Sequence, residues 1–150
     1  MSFKENNIVD IYIDDSEFDE ENVGTISVWY SDGKKIGIRI STYENGTAEI
    51  LLDSDEANCL ISALKIASKI IKCCNINFQE SGRINIVTLS IIDVNFNKNN
   101  DGIMLVNTFN NESIGVCISL TKGADPELWM DINNTESIIT ALEDVVKNNV

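Results

Sequence analysis

The sequence contains no histidine and only one proline, and its 24 acidic residues outnumber its 11 lysines and arginines, which gives a net charge of −13. Without histidine, the chain lacks the commonest general base near neutral pH, the Ser-His-Asp and Cys-His devices and all histidine-containing zinc sites. Carboxylate pairs remain as a catalytic alternative. We therefore expect a non-enzymatic protein without a metal or cofactor, whose negative field favours basic partners over phosphate backbones.

Long apolar runs are also missing, because no stretch approaches the roughly 18 residues of a membrane-spanning helix and the first residues do not resemble a signal peptide. The sequence predicts a cytoplasmic protein without membrane contact. Its four cysteines show no CxxC spacing, and the adjacent Cys73 and Cys74 would be strained as a disulfide. We expect all four thiols to be reduced.

An internal duplication is the strongest pattern that the sequence contains. NIVDIYIDDSEFDEENVG, beginning at Asn7, aligns without a gap with NIVTLSIIDVNFNKNNDG, beginning at Asn85, at an offset of 78 positions. The same offset aligns KKIGIRIS with ESIGVCIS and persists as far as residue 145. The chain thus consists of one unit repeated in tandem.

The length of 150 residues fits a single domain, residues 1–150, with one proper core. Within it we place the first repeat at residues 7–72, a connector at 73–84 and the second repeat at 85–150. Since one four-stranded sheet with one helix leaves apolar surface uncovered, the two repeats should pack their cores together.

Each repeat reads as four strands followed by one helix, because apolar residues first alternate and then recur with the helical period. In the first repeat, Ser31-Asp32-Gly33-Lys34 is a hairpin signal between the second and third strands. The predicted fold is α+β: two antiparallel four-stranded sheets and two helices, arranged as a pseudo-twofold pair of ββββα units.

This duplicated layout resembles the Whirly superfamily of single-stranded-DNA-binding proteins, in which two such repeats pack against each other. The resemblance covers residues 7–147 and rests on the order of the elements. It implies a Whirly-like fold and, as an activity, binding of single strands.

Aromatic and basic side chains are predicted on the sheet faces opposite the core. Trp29 and Arg39 belong to the first repeat and Trp129 to the second. Tryptophan and arginine are favoured interface anchors, and aromatic rings also stack on bases. These side chains are therefore candidate partner-binding residues. The simpler alternative is that they cover the other sheet, pack under loops or form a contact between two copies of the chain.

A second candidate surface is the acidic segment that follows the first strand. Within eight residues it holds six acids: Asp14, Asp15, Glu17, Asp19, Glu20 and Glu21. The matching segment of the second repeat keeps only Asp93, so the shared fold does not require these carboxylates. We interpret them as a partner-binding segment. A solvated loop is the simpler alternative, and the spacing lacks the glycine and terminal glutamate of an EF-hand.

Asp53 and Asp131 occupy equivalent positions, each directly before a predicted helix. A catalytic carboxylate pair is one interpretation, but helix capping explains both residues without further assumption.

The leading functional hypothesis is a small acidic binding or inhibitory protein that engages a basic, nucleic-acid-handling protein, with its charge imitating nucleic acid. Phage and mobile-element inhibitors, including anti-CRISPR and other anti-defence proteins, share this small size and acidity, as do toxin immunity proteins. A single-strand-binding module of Whirly type is the runner-up. Immunity to a toxin, or a small nucleotide bound between the repeats, is a further alternative.

Overall fold

Among the residues that the structure describes, alternating apolar residues form eight strands, and two stripes of helical period form two helices. The computed structural model describes residues 5–17, 19–31, 35–73, 83–91, 101–110, 112–121 and 123–148. The strands and helices of the first repeat are β1 (Glu5–Asp14), β2 (Val23–Ser31), β3 (Ile36–Thr42), β4 (Gly46–Leu52) and α1 (Ser54–Lys72). Those of the second repeat are β5 (Arg83–Ile91), β6 (Gly102–Phe109), β7 (Ser113–Leu120), β8 (Glu127–Met130) and α2 (Ile132–Asn148).

Each repeat forms an antiparallel meander, with strand order β1-β2-β3-β4 in the first sheet and β5-β6-β7-β8 in the second. The pairing keeps the offset of 78, since Ile36 pairs with Leu52 while Ile114 pairs with Met130. Both edge strands β1 and β5 carry an irregularity at matching positions, between Asn7 and Val9 and between Asn85 and Val87. The predicted α+β duplication is confirmed.

Two boundaries differ from the prediction. β1 begins at Glu5 rather than at residue 7, and β5 begins at Arg83, inside the predicted connector. Backbone pairing explains this, because Glu5 opposes Ser31 and Arg83 opposes Phe109 although neither pair lies in the region of clear identity. Residues 74–82 of the connector, and three residues of the predicted hairpin signal, lie outside the described residues.

Both helices begin where the sequence predicts. Asp53 accepts a hydrogen bond from the Glu56 backbone N–H at 2.8 Å, and the Glu56 side chain accepts one from the Asp53 N–H at 3.0 Å, which completes a capping box. Asp131 accepts from the Asn134 N–H at 2.8 Å. The capping interpretation of both aspartates is confirmed.

Each helix packs against the sheet of the other repeat. α1 packs mainly against β5, β6 and β7 of the second sheet, while α2 packs against β1 and β2 of the first sheet as well as β7 and β8. The two helices also pack against each other. As a result, buried residues of both repeats belong to one cluster, which includes Ile38, Leu64, Val116 and Leu142.

Leu64 and Leu142 occupy equivalent helix positions and are both fully buried. We expect Leu64→Ala and Leu142→Ala each to lower the free energy of unfolding by about 2–5 kcal/mol, the usual cost of emptying such a position. Ser62→Ala and Thr140→Ala, at equivalent exposed positions, serve as matched controls with little effect. Urea unfolding is followed by tryptophan fluorescence.

Because each helix covers the other repeat's sheet, both sheets should unfold together in each variant. Trp129→Phe leaves Trp29 to report on the first sheet, and Trp29→Phe leaves Trp129 to report on the second. Within either single-tryptophan variant, a fluorescence midpoint that differs from the midpoint of far-UV circular dichroism would show that the repeats are independent domains.

Candidate functional site: the tryptophan clusters and the acidic loop

Trp29 lies on the sheet face opposite the core, as predicted, but it is buried there, with only 4% of its surface exposed. The indole lies over Gly37 of β3, where a Cβ atom would collide with the ring. Its Nε1 donates to Glu49 Oε2 at 3.2 Å, and the Arg39 guanidinium lies 5.8 Å from the ring centre. Arg39 Nη2 also pairs with Glu49 Oε2 at 2.5 Å.

Trp129 forms the same arrangement on the second sheet, with 8% of its surface exposed. Its indole lies over Gly115 of β7, and its Nε1 donates to Glu127 Oε1 at 3.0 Å. The Arg83 guanidinium lies 5.3 Å from the ring centre and forms two contacts with the Glu127 carboxylate, at 3.2 and 3.3 Å. Phe109 adds an edge contact, 5.9 Å between ring centres.

Some residues of the two clusters are related by the duplication offset and others are not. Gly37 and Gly115 are related by the offset, as are Glu49 and Glu127, but the tryptophans are not: the residue matching Trp29 is Asn107. Trp29 reaches the glycine from β2 and Trp129 reaches it from β8. The flat indole buries the bare backbone of a glycine, the glutamate accepts the hydrogen bond from the indole N–H, and the arginine lies near the ring as a cation.

This burial changes how the predicted contact residues are interpreted. The tryptophans do not offer open aromatic faces to a partner, because each ring is covered by the packing just described. Arg39 remains about one third exposed, but its charge is engaged by Glu49. The contact surface predicted around Trp29, Arg39 and Trp129 is therefore a pair of packed clusters, and Tyr12, 66% exposed, is the more open aromatic side chain on the first sheet.

The acidic loop, residues 14–21, carries its six carboxylates on exposed residues. Backbone hydrogen bonds close it: the Asp15 N–H donates to the Asn22 carbonyl at 3.0 Å, and the Asn22 N–H donates to the Asp19 carbonyl at 2.8 Å. In the part of the chain that the structure describes, no lysine or arginine pairs with any of the six. Phe18 lies outside the described residues.

Asn22 fastens the acidic loop to the second repeat. Its side chain is 98% buried, with Nδ2 donating to the Trp129 carbonyl at 3.1 Å and Oδ1 accepting from the Trp129 N–H at 2.8 Å. The amide thus replaces a neighbouring strand along the open edge of β8. The structure thus brings together two candidate binding regions that are far apart in the sequence: the acidic segment and the strand that carries Trp129.

A small polar pocket of about 50 Å³ opens beside this anchor. Its walls include three carboxylates, from Asp19 and Glu21 of the loop and Glu127 of β8, together with the amide of Asn45. Sequence reasoning missed Asn22, Asn45 and Glu127 as parts of this surface. The identity of Asn22 with Asn100 was visible, but the strand edge that Asn22 meets was not.

No group of three or more acidic or cysteine side chains forms a metal-binding cluster within the described ranges. No helix among the described residues is both long and apolar enough to cross a bilayer. Neither the known family models nor the curated proteins include a match to this sequence.

The first prediction from the clusters concerns Gly37, where added bulk meets the indole of Trp29. We expect Gly37→Ala to lower the free energy of unfolding by about 1–3 kcal/mol through overpacking and to shift the Trp29 emission. In a double-mutant cycle with Trp29→Leu, the glycine substitution should cost less once the indole is gone. If Gly37→Ala lowers the free energy of unfolding equally with and without the indole of Trp29, contact with the indole is not the reason for a glycine at this position.

A second prediction concerns Cys117 on the outer face of β7. Burial, with the nearby carboxylates of Glu127 and Asp125, raises the pKa of the Cys117 thiol to about 11. Because the thiolate is the reactive form, native protein at pH 8 should be alkylated by iodoacetamide at the exposed Cys59 and Cys73 well before Cys117. Peptide mass spectrometry measures the order, and labelling in urea, where all sites should react alike, is the control.

Proposed function

We propose that the protein is an acidic binding protein whose acidic loop engages a basic surface on a partner protein. The observation that carries this proposal is the anchoring of the loop, since the buried side chain of Asn22 fastens the end of the segment with six exposed carboxylates to the Trp129 backbone. Repulsion among like charges favours spreading them apart, so a loop fastened in place keeps the charge concentrated at some cost. Because the second repeat lacks this acidic run, the shared fold does not require the charge.

The pocket beside the loop supports a cationic side chain as the central contact. Asp19 and Glu21 contribute carboxylates that have no lysine or arginine partner among the described residues, while Glu127 already pairs with Arg83. The volume of about 50 Å³ suits the head group of one lysine or arginine. Charge-assisted hydrogen bonds to carboxylates are the strong ones, and arginine can make them in pairs. A partner that handles nucleic acid offers such side chains in clusters, which is why we favour an inhibitor that imitates nucleic-acid charge, of the phage or mobile-element type.

The second candidate is a single-strand-binding module of Whirly type. The duplicated ββββα layout and the exposed ring of Tyr12 favour it. Against it stand the net charge of −13 and the burial of both tryptophans, which removes their faces from stacking.

The test compares two variants of equal net charge. The loop variant carries Glu17→Gln, Glu20→Gln and Glu21→Gln, and the control variant carries Asp55→Asn, Glu112→Gln and Asp144→Asn, which are exposed positions elsewhere. Partners are captured from source cells with the wild-type chain, and association rates are then measured with the purified partner over a range of salt concentrations. The loop variant should associate about tenfold more slowly at low salt, with a flatter salt dependence.

The control variant should keep the wild-type rate, because its charges lie outside the acidic loop. Equal slowing in both variants would mean that net charge alone acts and that the loop is a solvated surface. Tight, salt-sensitive binding of a single-stranded oligonucleotide by the wild-type chain would replace this proposal with the second candidate.

A further inference from the structure

The helix pair places the pseudo-twofold axis between two equivalent residues. Lys65 Nζ contacts Glu143 Oε2 at 3.1 Å, and these positions are separated by the duplication offset of 78. Lys72, later in α1, contacts Glu136, earlier in α2, at 2.6 Å. The helices are therefore antiparallel. Each position on one side of the Lys65–Glu143 pair is related by the offset to a position on the other side.

Two grooves between α1 and α2 are related in this way. The first groove, about 430 Å³, is lined by Lys65, Ser68, Lys69, Lys72, Glu136, Ile139 and Thr140. The second groove, about 530 Å³, is lined by Asn58, Ile61, Ser62, Lys65, Glu143, Val146 and Lys147. The offset of 78 relates Ile61 to Ile139 and Ser62 to Thr140. Each groove can therefore be compared with its equivalent in the duplication.

The grooves differ in charge and in one buried hydroxyl. The first groove is lined by Lys65, Lys69, Lys72 and Glu136, and the second by Lys65, Lys147 and Glu143, with Val146 at the position equivalent to Ser68. Lys69 has no acidic partner among the described residues. The hydroxyl of Ser68, on a residue 94% buried, also finds no hydrogen-bond partner there. Buried polar groups normally have a partner, and Val146 shows that the fold accepts an apolar side chain at this position.

The carboxylates around the first groove do not cancel its positive charge. Lys65 and Lys72 are each about half exposed, as are Glu143 and Glu136, so these ion pairs are weak and can rearrange. Lys69 adds an ammonium group beyond these two ion pairs. The result is a positive site in a chain whose net charge is −13.

We propose that the first groove binds a phosphate group, free or as the ester of a small nucleotide. Lys65, Lys69 and Lys72 are placed to supply charge-assisted hydrogen bonds to its oxygens, and the Ser68 hydroxyl donates one more. Lysine suits phosphate as a compact charge with several donors, and a groove of about 430 Å³ has room for a nucleotide-sized ester. This site is separate from the acidic loop and does not depend on its proposed function.

The experiment titrates the full chain with inorganic phosphate by isothermal titration calorimetry, against sodium chloride at equal ionic strength. We expect saturable binding of one phosphate, weakened about tenfold or more by Lys69→Gln, which removes one charged donor. Ser68→Val, which installs the residue of the second groove, should also weaken binding. Lys147→Gln, at the position equivalent to Lys69, is the matched control and should leave the affinity unchanged.

Adenosine monophosphate in the same titration identifies the source of the phosphate. If adenosine monophosphate binds with the same affinity as inorganic phosphate, the groove recognises the phosphate group alone. If it binds more tightly, the groove also contacts the nucleoside part of the ester. No saturable heat with either probe overturns the proposal. Equal weakening by Lys69→Gln and Lys147→Gln, in variants with unchanged thermal unfolding, also overturns it, because general charge rather than the first groove would then be responsible.

Discussion

The structure depends on the crossing of its helices. A single ββββα unit has one apolar sheet face and one apolar helix stripe, and here α1 covers mainly the second sheet while α2 covers the first. The stability of each repeat is thus supplied by the other, and the pseudo-twofold axis at Lys65 and Glu143 follows from that exchange. Among the described residues, the outer face of each sheet is covered locally by one indole.

Periodicity and the duplication were enough to predict the strands, the helices and the caps at Asp53 and Asp131, because these features depend on local patterns. They were also enough to place Trp29 and Trp129 on the outer faces. Their burial was not predictable in the same way, since it depends on which residue opposes each tryptophan across a hairpin. The glycines at 37 and 115 carried the signal, and only the strand register joins them to the rings.

Differences between the repeats are as informative as their identities. The acids of the acidic loop and the lysine and serine side chains of the first groove occur on the first-repeat side of the duplication. Most paired core positions stay apolar in both repeats, although Ala57 matches the buried Thr135 and Trp29 matches the buried Asn107. The chain therefore carries opposite charges on two surfaces that the common fold leaves free to vary. Asn22 shows how such a surface is nevertheless tied into the fold, by using a strand edge of the other repeat.

The exchange of helices has a consequence for synthesis on the ribosome. α2 spans Ile132–Asn148, so the first sheet waits for nearly the whole chain before the helix that packs on β1 and β2 emerges. Until then its inner face, which includes Ile26, Ile38 and Ile50, stays without that cover. At about 5–20 residues per second this interval lasts several seconds, long enough for a nascent-chain chaperone to bind the exposed sheet.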